Sequence, residues 1–457
     1  MHDLLLQLDP ALGRRAGLEQ ALRRSIRSGA LPPGTRLPSS RALAADLGLG
    51  RATVVAAYEQ LVAEGFLSAA HGSSTRVAPH AMREAGAPSS PRPSSSTVRA
   101  DFRPGEPDLT SFPSGPWAAC TRAVLRDAPA ATFGYGDEAG LPELRSALAT
   151  YLGRARAVVA SPERVFVFSG FGDAIVALRS VLGGIDARPV ALEDPCLPWH
   201  RMWFERGDAP TVGIAVDDEG IDAGAVRASG AGALLTTPAH QYPLGVTLSS
   251  RRRAELVEWA RDAQAWIIED DYDGEFRYDR QPVGALQGLA PDRVVYGGTA
   301  SKAVAPGVGI AWLVLPPPLV EPMRDVLRFR VATSAIEQAA MARFIDGGHL
   351  DRHLRRMRSL YRRRREDLFA VLDRSPHLTV RGIAAGLHVT ATVGSAEVEH
   401  ELLRRAAESS VGLFPLSFHY RSQPARHGFV LGFTRPAQHA WTGALRRLRT
   451  VVMPGGR

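Results

Sequence analysis

Apolar residues recur at helical spacing in three stretches near the start of the chain. Leu18, Leu22 and Ile26 share one face of a first helix, which Gly29 and Pro32-Pro33-Gly34 close. Leu43 and Leu47 mark a second helix, with Ser39 or Ser40 placed to cap it. Beyond a tight turn at Gly48 to Gly50, Val54, Tyr58 and Leu61 predict a third helix over Arg51–Glu64. Gly65-Phe66-Leu67-Ser68 and Thr75-Arg76-Val77 flank His71-Gly72-Ser73-Ser74, the pattern of a β-hairpin wing. The Pro- and Ser-rich stretch over 79–100 has no apolar period and reads as a linker.

From residue 101 onward, short apolar runs alternate with helical patterns. The predicted strands are Arg164–Ser169, Pro189–Glu193, Ala233–Thr237, Ala265–Asp270, Arg293–Tyr296 and Ile310–Leu315. Such alternation predicts an α/β fold, a mostly parallel sheet with covering helices. The tail over 321–457 reads as a smaller α+β lobe, leaving 101–320 as the larger part. One of its helices carries Leu350, Leu354, Met357 and Tyr361 on one face. Arg355, Arg356, Arg358 and Arg362 to Arg365 are expected on a solvated or subunit-contacting face.

Composition narrows the class. Hydrophobic residues at 45% and charged residues at 22% describe a soluble globular chain. No signal peptide is read at Met1-His2-Asp3 and no apolar run is long enough to span a bilayer. Two cysteines, Cys120 and Cys196, make neither a disulfide framework nor a metal cluster, which suits the cytoplasm. The net charge of +8 permits an anionic partner.

Two helices joined by a short glycine-containing turn form a helix-turn-helix, whose second helix enters the DNA major groove N-terminal end first. Arg51 and Thr53 then lie nearest the base edges, with Arg36 and Arg41 on phosphates. Ser39 and Gly72 complete the candidate DNA-binding set. A generic helical bundle is the alternative.

Lys302 is the only lysine among 55 Lys and Arg residues. A guanidinium stays protonated, whereas a desolvated lysine amine can condense with an aldehyde. Lys302 is therefore a candidate Schiff-base lysine, against the alternative of a chance survivor in an arginine-rich chain. Ile267-Ile268-Glu269-Asp270-Asp271-Tyr272 is a buried strand ending in carboxylates, where parallel sheets place ligands. A pyridoxal phosphate (PLP) site needs one carboxylate against the ring nitrogen and can use a phenol near the ring oxygen. Asp270 and Tyr272 fit, with Asp271 as an alternative to Asp270. The acids alone would equally suit Mg²⁺; the lone lysine favours PLP.

The head resembles the winged helix-turn-helix of the GntR family of bacterial regulators over residues 12–77. The rest resembles fold-type I aminotransferases in Tyr135-Gly136-Asp137, Gly140-Leu141-Pro142, Ser169-Gly170, Thr237-Pro238, Glu269-Asp270-Asp271-Tyr272 and Ser301-Lys302. Together with Leu37-Pro38-Ser39-Ser40-Arg41, Phe102-Arg103-Pro104-Gly105 and Thr237-Pro238-Ala239-His240-Gln241-Tyr242-Pro243, these identify the chain as similar to the MocR subfamily, the GabR-like regulators. The resemblance implies a winged head over 1–78, a linker and a PLP-binding, dimerising domain over 101–457. Its implied partners are operator DNA and a small amine or amino-acid effector, in a homodimer. Lys302 becomes the Schiff-base lysine, Asp270 the partner of the pyridine nitrogen and Tyr272 that of the ring hydroxyl. Thr299, Ser301 and the amides of Gly170, Phe171 and Gly172 become phosphate contacts.

The chain departs from that pattern in three places. Gly309 stands where the family has an arginine for the phosphate, and Cys196-Leu197 where it has Gly-Tyr, the tyrosine stacking on the ring. Phe171, Gly172 and Asp173 replace a small residue and glutamine. Losing a charge-assisted phosphate contact costs about 1.5–3 kcal/mol, ten- to a hundredfold in affinity. The expectation is a PLP-sensing regulator holding its cofactor weakly, without physiological turnover. The alternatives are a regulator that has lost PLP and a working aminotransferase with a DNA-binding head.

Overall fold

The computed structural model describes residues 6, 8–9, 12–69, 74–79, 98–185, 187–207, 210–279, 283–328, 330 and 333–453. The chain forms two compact units, residues 1–94 and 95–457.

In the first unit, helices Arg14–Arg27, Ser40–Leu47 and Arg51–Ala63 are followed by an antiparallel pair, Leu67–Ser68 with Arg76–Val77. Leu18, Leu22, Ile26, Leu43, Val54, Tyr58 and Leu61 meet in one core, joined by Leu67 and Val77 from the wing. Leu47 packs at its edge, half-buried. Of the two serines, Ser39 is the cap: its Oγ accepts from the Ala42 amide at 3.2 Å. The helix ends at Gly48 with φ +62°, a left-handed turn that glycine adopts without steric cost. Tyr58 donates its hydroxyl to the Pro38 carbonyl at 3.0 Å, tying the third helix to the approach to the second.

The second unit is built on an eight-stranded sheet. Its spatial order is Val165–Phe168, Ala311–Val314, Val294–Thr299, Trp266–Asp270, Ala233–Thr236, Val190–Asp194, Thr211–Asp217 and Gly220–Ile221. The strands from Val294–Thr299 to Thr211–Asp217 pair in parallel; Ala311–Val314 runs against both of its neighbours. The central strands are buried along their whole length because both faces are covered. Ile268, Val295 and Leu235 pack with Ile175 and Leu178 of helix Phe171–Ile185. The alternating residues Ile267, Val294 and Leu234 pack with Leu256 and Trp259 of helix Ser250–Asp262.

A smaller antiparallel sheet, ordered Thr379–Arg381, His388–Val393, His427–Gly432 and Phe414–Pro415, forms the C-terminal lobe with helices His349–Leu372, Ala396–Glu408 and Trp441–Val452. Arg364 departs from the solvated face expected for its arginine run. It is 2% exposed, donates to Asp108 at 2.7 Å and to the Thr434 carbonyl at 3.0 Å, and lies 5.2 Å from the Trp441 ring. Among the described residues, no helix is long and apolar enough to cross a membrane.

Candidate functional site

Parallel strands end together, so residues far apart in sequence converge at the carboxyl edge of the sheet. Asp270 is the last residue of its strand and pairs in register with Gly297, two residues before the end of the neighbouring strand. Thr299 caps the one-turn helix Ala300–Ala303 that follows, with its Oγ accepting from the Ser301 amide at 3.1 Å. That turn carries Lys302 to the mouth of the same edge.

A cavity of about 400 Å³ opens there, lined by Asp270, Tyr272, Thr299, Ser301, Lys302 and Phe171 among others. Six of the eight residues assigned from sequence are thus gathered around one space. Gly170 and Gly172 sit beside it, in the turn that starts helix Phe171–Ile185, and do not line it. Asp271 is not an alternative to Asp270. Its carboxylate points away into a buried pair with Arg156, at 2.6 and 3.0 Å, and accepts from the Tyr296 hydroxyl at 2.8 Å.

Electrostatics set these groups against one another. Burial pushes the Asp270 carboxyl up, opposed by His200 and by Lys302. Burial pushes the Lys302 ammonium down, opposed chiefly by the Asp270 charge. Lys302 donates to the Gly105 carbonyl. Tyr272 is half-buried, and desolvation of its phenol holds it well above the ordinary range. Its oxygen lies 3.1 Å from both the His240 carbonyl and His240 Nδ1, and Nδ1 is 2.9 Å from Asp273.

His200 is the residue the sequence reading missed. Its Nε2 donates to Asp270 Oδ2 at 3.0 Å from within a short helix, Pro198–Glu205, that begins just after Leu197. Phe171, His200 and Trp203 pack with ring centroids 5.6 to 6.3 Å apart, forming an aromatic wall beside Leu197. The signal was the density of rings in Trp199-His200 and Trp203-Phe204 so close after a strand end.

PLP would need an aldehyde-reactive amine, a buried carboxylate, a phenol and phosphate donors, and the residues present fit that set. One buried polar atom of a lining residue, His200 Nδ1, has no partner among the described residues.

In the first unit, Arg36, Ser39, Arg41 and Arg51 are exposed, and Thr53 is half-buried in the first turn of the third helix. Gly72 lies outside the described residues.

Comparison with known proteins agrees with this geometry. Residues 14–77 match the family described as bacterial regulatory proteins, gntR family, and residues 111–425 match aminotransferase class I and II. The chain is 33% identical over 455 residues to the probable rhizopine catabolism regulatory protein MocR of Rhizobium meliloti, covering 94% of this chain and 92% of that one. It is 33% identical over 422 residues to the HTH-type pyridoxine biosynthesis transcriptional regulator PdxR of Corynebacterium glutamicum, covering 91% of each. A Pyrococcus horikoshii kynurenine aminotransferase, solved in complex with PMP, superposes with a TM-score of 0.70 at 24% identity. It covers 79% of this chain and 91% of its own.

Fold and site together define a transcriptional regulator with a DNA-binding head and an aminotransferase-like domain. The chain belongs to the gntR family of bacterial regulatory proteins, in its MocR (GabR-like) subfamily.

Proposed function

We propose that this regulator binds PLP through a Schiff base on Lys302 and responds to PLP, or to an amine that reacts with it, by changing its hold on operator DNA. The observation that carries this reading is the convergence of the chain's only lysine with the buried, His200-bonded Asp270 at one cavity. Bound there, PLP supplies an aldehyde for the lysine and a ring that withdraws electrons when its nitrogen is protonated. Asp270 holds that ring proton, and His200 keeps the Asp270 carboxylate oriented. Tyr272 takes the ring hydroxyl, while Thr299, Ser301 and the amides of Gly170, Phe171 and Gly172 take the phosphate. Burial favours the neutral lysine amine, the form that attacks an aldehyde.

In the head, Arg51 and Thr53 read base edges while Arg36 and Arg41 hold phosphates, with Ser39 and Gly72 in the same DNA-binding set. The regulator acts in the cytoplasm as a homodimer, two heads meeting two half-sites. A ligand shifts DNA affinity only as far as it binds two arrangements of that dimer unequally.

The test uses full-length protein and an operator selected from random duplexes. PLP is expected to change the operator affinity of wild type and to leave Lys302→Arg unchanged. Identical affinities for wild type with and without PLP and amines would exclude cofactor sensing, leaving a regulator whose large domain serves assembly or another ligand.

A further inference from the structure

The PLP reading leaves the phosphate without the arginine that the family resemblance implies, because Gly309 stands at that position. Gly309 has φ +62°, so its turn is built for a residue without a side chain. A Cβ there would face the Ser169 carbonyl at 3.7 Å. This corner is the entrance to helix Phe171–Ile185, whose first amides are the proposed phosphate cradle.

A different arginine reaches that corner. Arg330 pairs with Asp173, the third residue of the helix. The same Asp173 oxygen accepts from the Ser169 amide at 3.1 Å and from its hydroxyl at 2.7 Å. The Arg330 guanidinium lies 4.8 Å from the ring of Phe168, the strand residue that leads into the turn. Its Nη1 is buried and has no partner among the described residues. A buried guanidinium N–H requires an acceptor, and a phosphate oxygen beside a helix N-terminus is a strong one.

We infer that Arg330 replaces the missing arginine and binds the cofactor phosphate at the Ser169–Phe171 turn, with Asp173 as the anchor that holds it there. Asp173 therefore does not face the phosphate as a bare negative charge. Its carboxylate is occupied by Arg330 and Ser169, and it positions the cation. This inference rests on the PLP reading of the cavity.

The test compares PLP with pyridoxal, the same aldehyde lacking the phosphate, on full-length wild type and Arg330→Gln. Affinities are read from the visible absorbance band on titration. Arg330→Gln is expected to weaken PLP roughly ten- to a hundredfold and to leave pyridoxal unchanged, since a hydrogen bond to a charged group is lost only with the phosphate present. Arg330→Lys should recover part of the PLP affinity, as the charge remains without the planar fork. Equal PLP affinity in wild type and Arg330→Gln overturns the inference. So does an equal loss for both aldehydes, which marks a merely structural residue. Should wild type give no band with either aldehyde, the cofactor reading itself fails. Calorimetry with inorganic phosphate then decides for Arg330: binding lost in Arg330→Gln supports the anion contact, and identical heats overturn it.

Discussion

Arg156→Met is expected to destabilise the aminotransferase-like domain by about 3–5 kcal/mol, the loss typical when one partner of a buried ion pair is removed. Arg156 and Asp271 side chains are each 1% exposed, and the pair is bidentate. Arg156 also donates to the Gly274 carbonyl at 3.0 Å, binding the chain just past the strand end. Without the guanidinium, Asp271 remains a buried carboxylate supported only by the Tyr296 hydroxyl among its described side-chain donors. Glu275, which burial and Asp271 already push up to about 7, loses the cation that opposes them. Differential scanning calorimetry should show the transition several degrees lower. An accompanying Asp271→Leu should recover much of the loss, because removing both charges leaves none uncompensated. An unchanged transition in Arg156→Met would contradict the role given to this pair. Since Asp271 directly follows Asp270, the single variant should also loosen the cavity and weaken PLP.

Asp270→Asn should bind PLP about ten- to a hundredfold more weakly, with the fold retained. The substitution keeps the shape and removes a buried charge that the pyridine nitrogen needs, a loss of about 1.5–3 kcal/mol. It also moves the lysine. The Asp270 charge is the largest influence raising the Lys302 ammonium against the effect of burial. Without it, burial acts with less opposition and Lys302 sheds its proton at lower pH. The pH above which the amine reacts with the aldehyde should therefore fall in the variant, read by titrating the visible band across pH. Unchanged PLP affinity and an unchanged pH profile would remove Asp270 from the site.

Local patterns in the chain announced local structure well. The faces Leu18-Leu22-Ile26 and Val54-Tyr58-Leu61 became the core of the head because helical spacing dictates which residues can share a side. The strands were legible because burial on both faces demands apolar runs, and the ligand edge because parallel strands end together. The singular Lys302 stood out against an arginine background, and Asp270 followed from its strand end. What stayed hidden depends on partners remote in sequence. Arg364 read as one more exposed arginine, since nothing near it reveals Asp108, 256 residues away. Arg330 and Asp173 are 157 residues apart, so a missing arginine at 309 could be noticed while its structural neighbour could not. His200 lay seventy positions from Asp270 and carried no motif of its own.

The central claim is that Lys302 bonds covalently to PLP. Its most direct test is borohydride reduction of the full-length protein after incubation with PLP, followed by mass spectrometry of the digest. Because the chain has one lysine, the adduct has one expected side-chain address. A single phosphopyridoxyl group on the peptide containing Lys302, absent from Lys302→Arg, is the predicted result. An unmodified Lys302 peptide at saturating PLP would contradict the account.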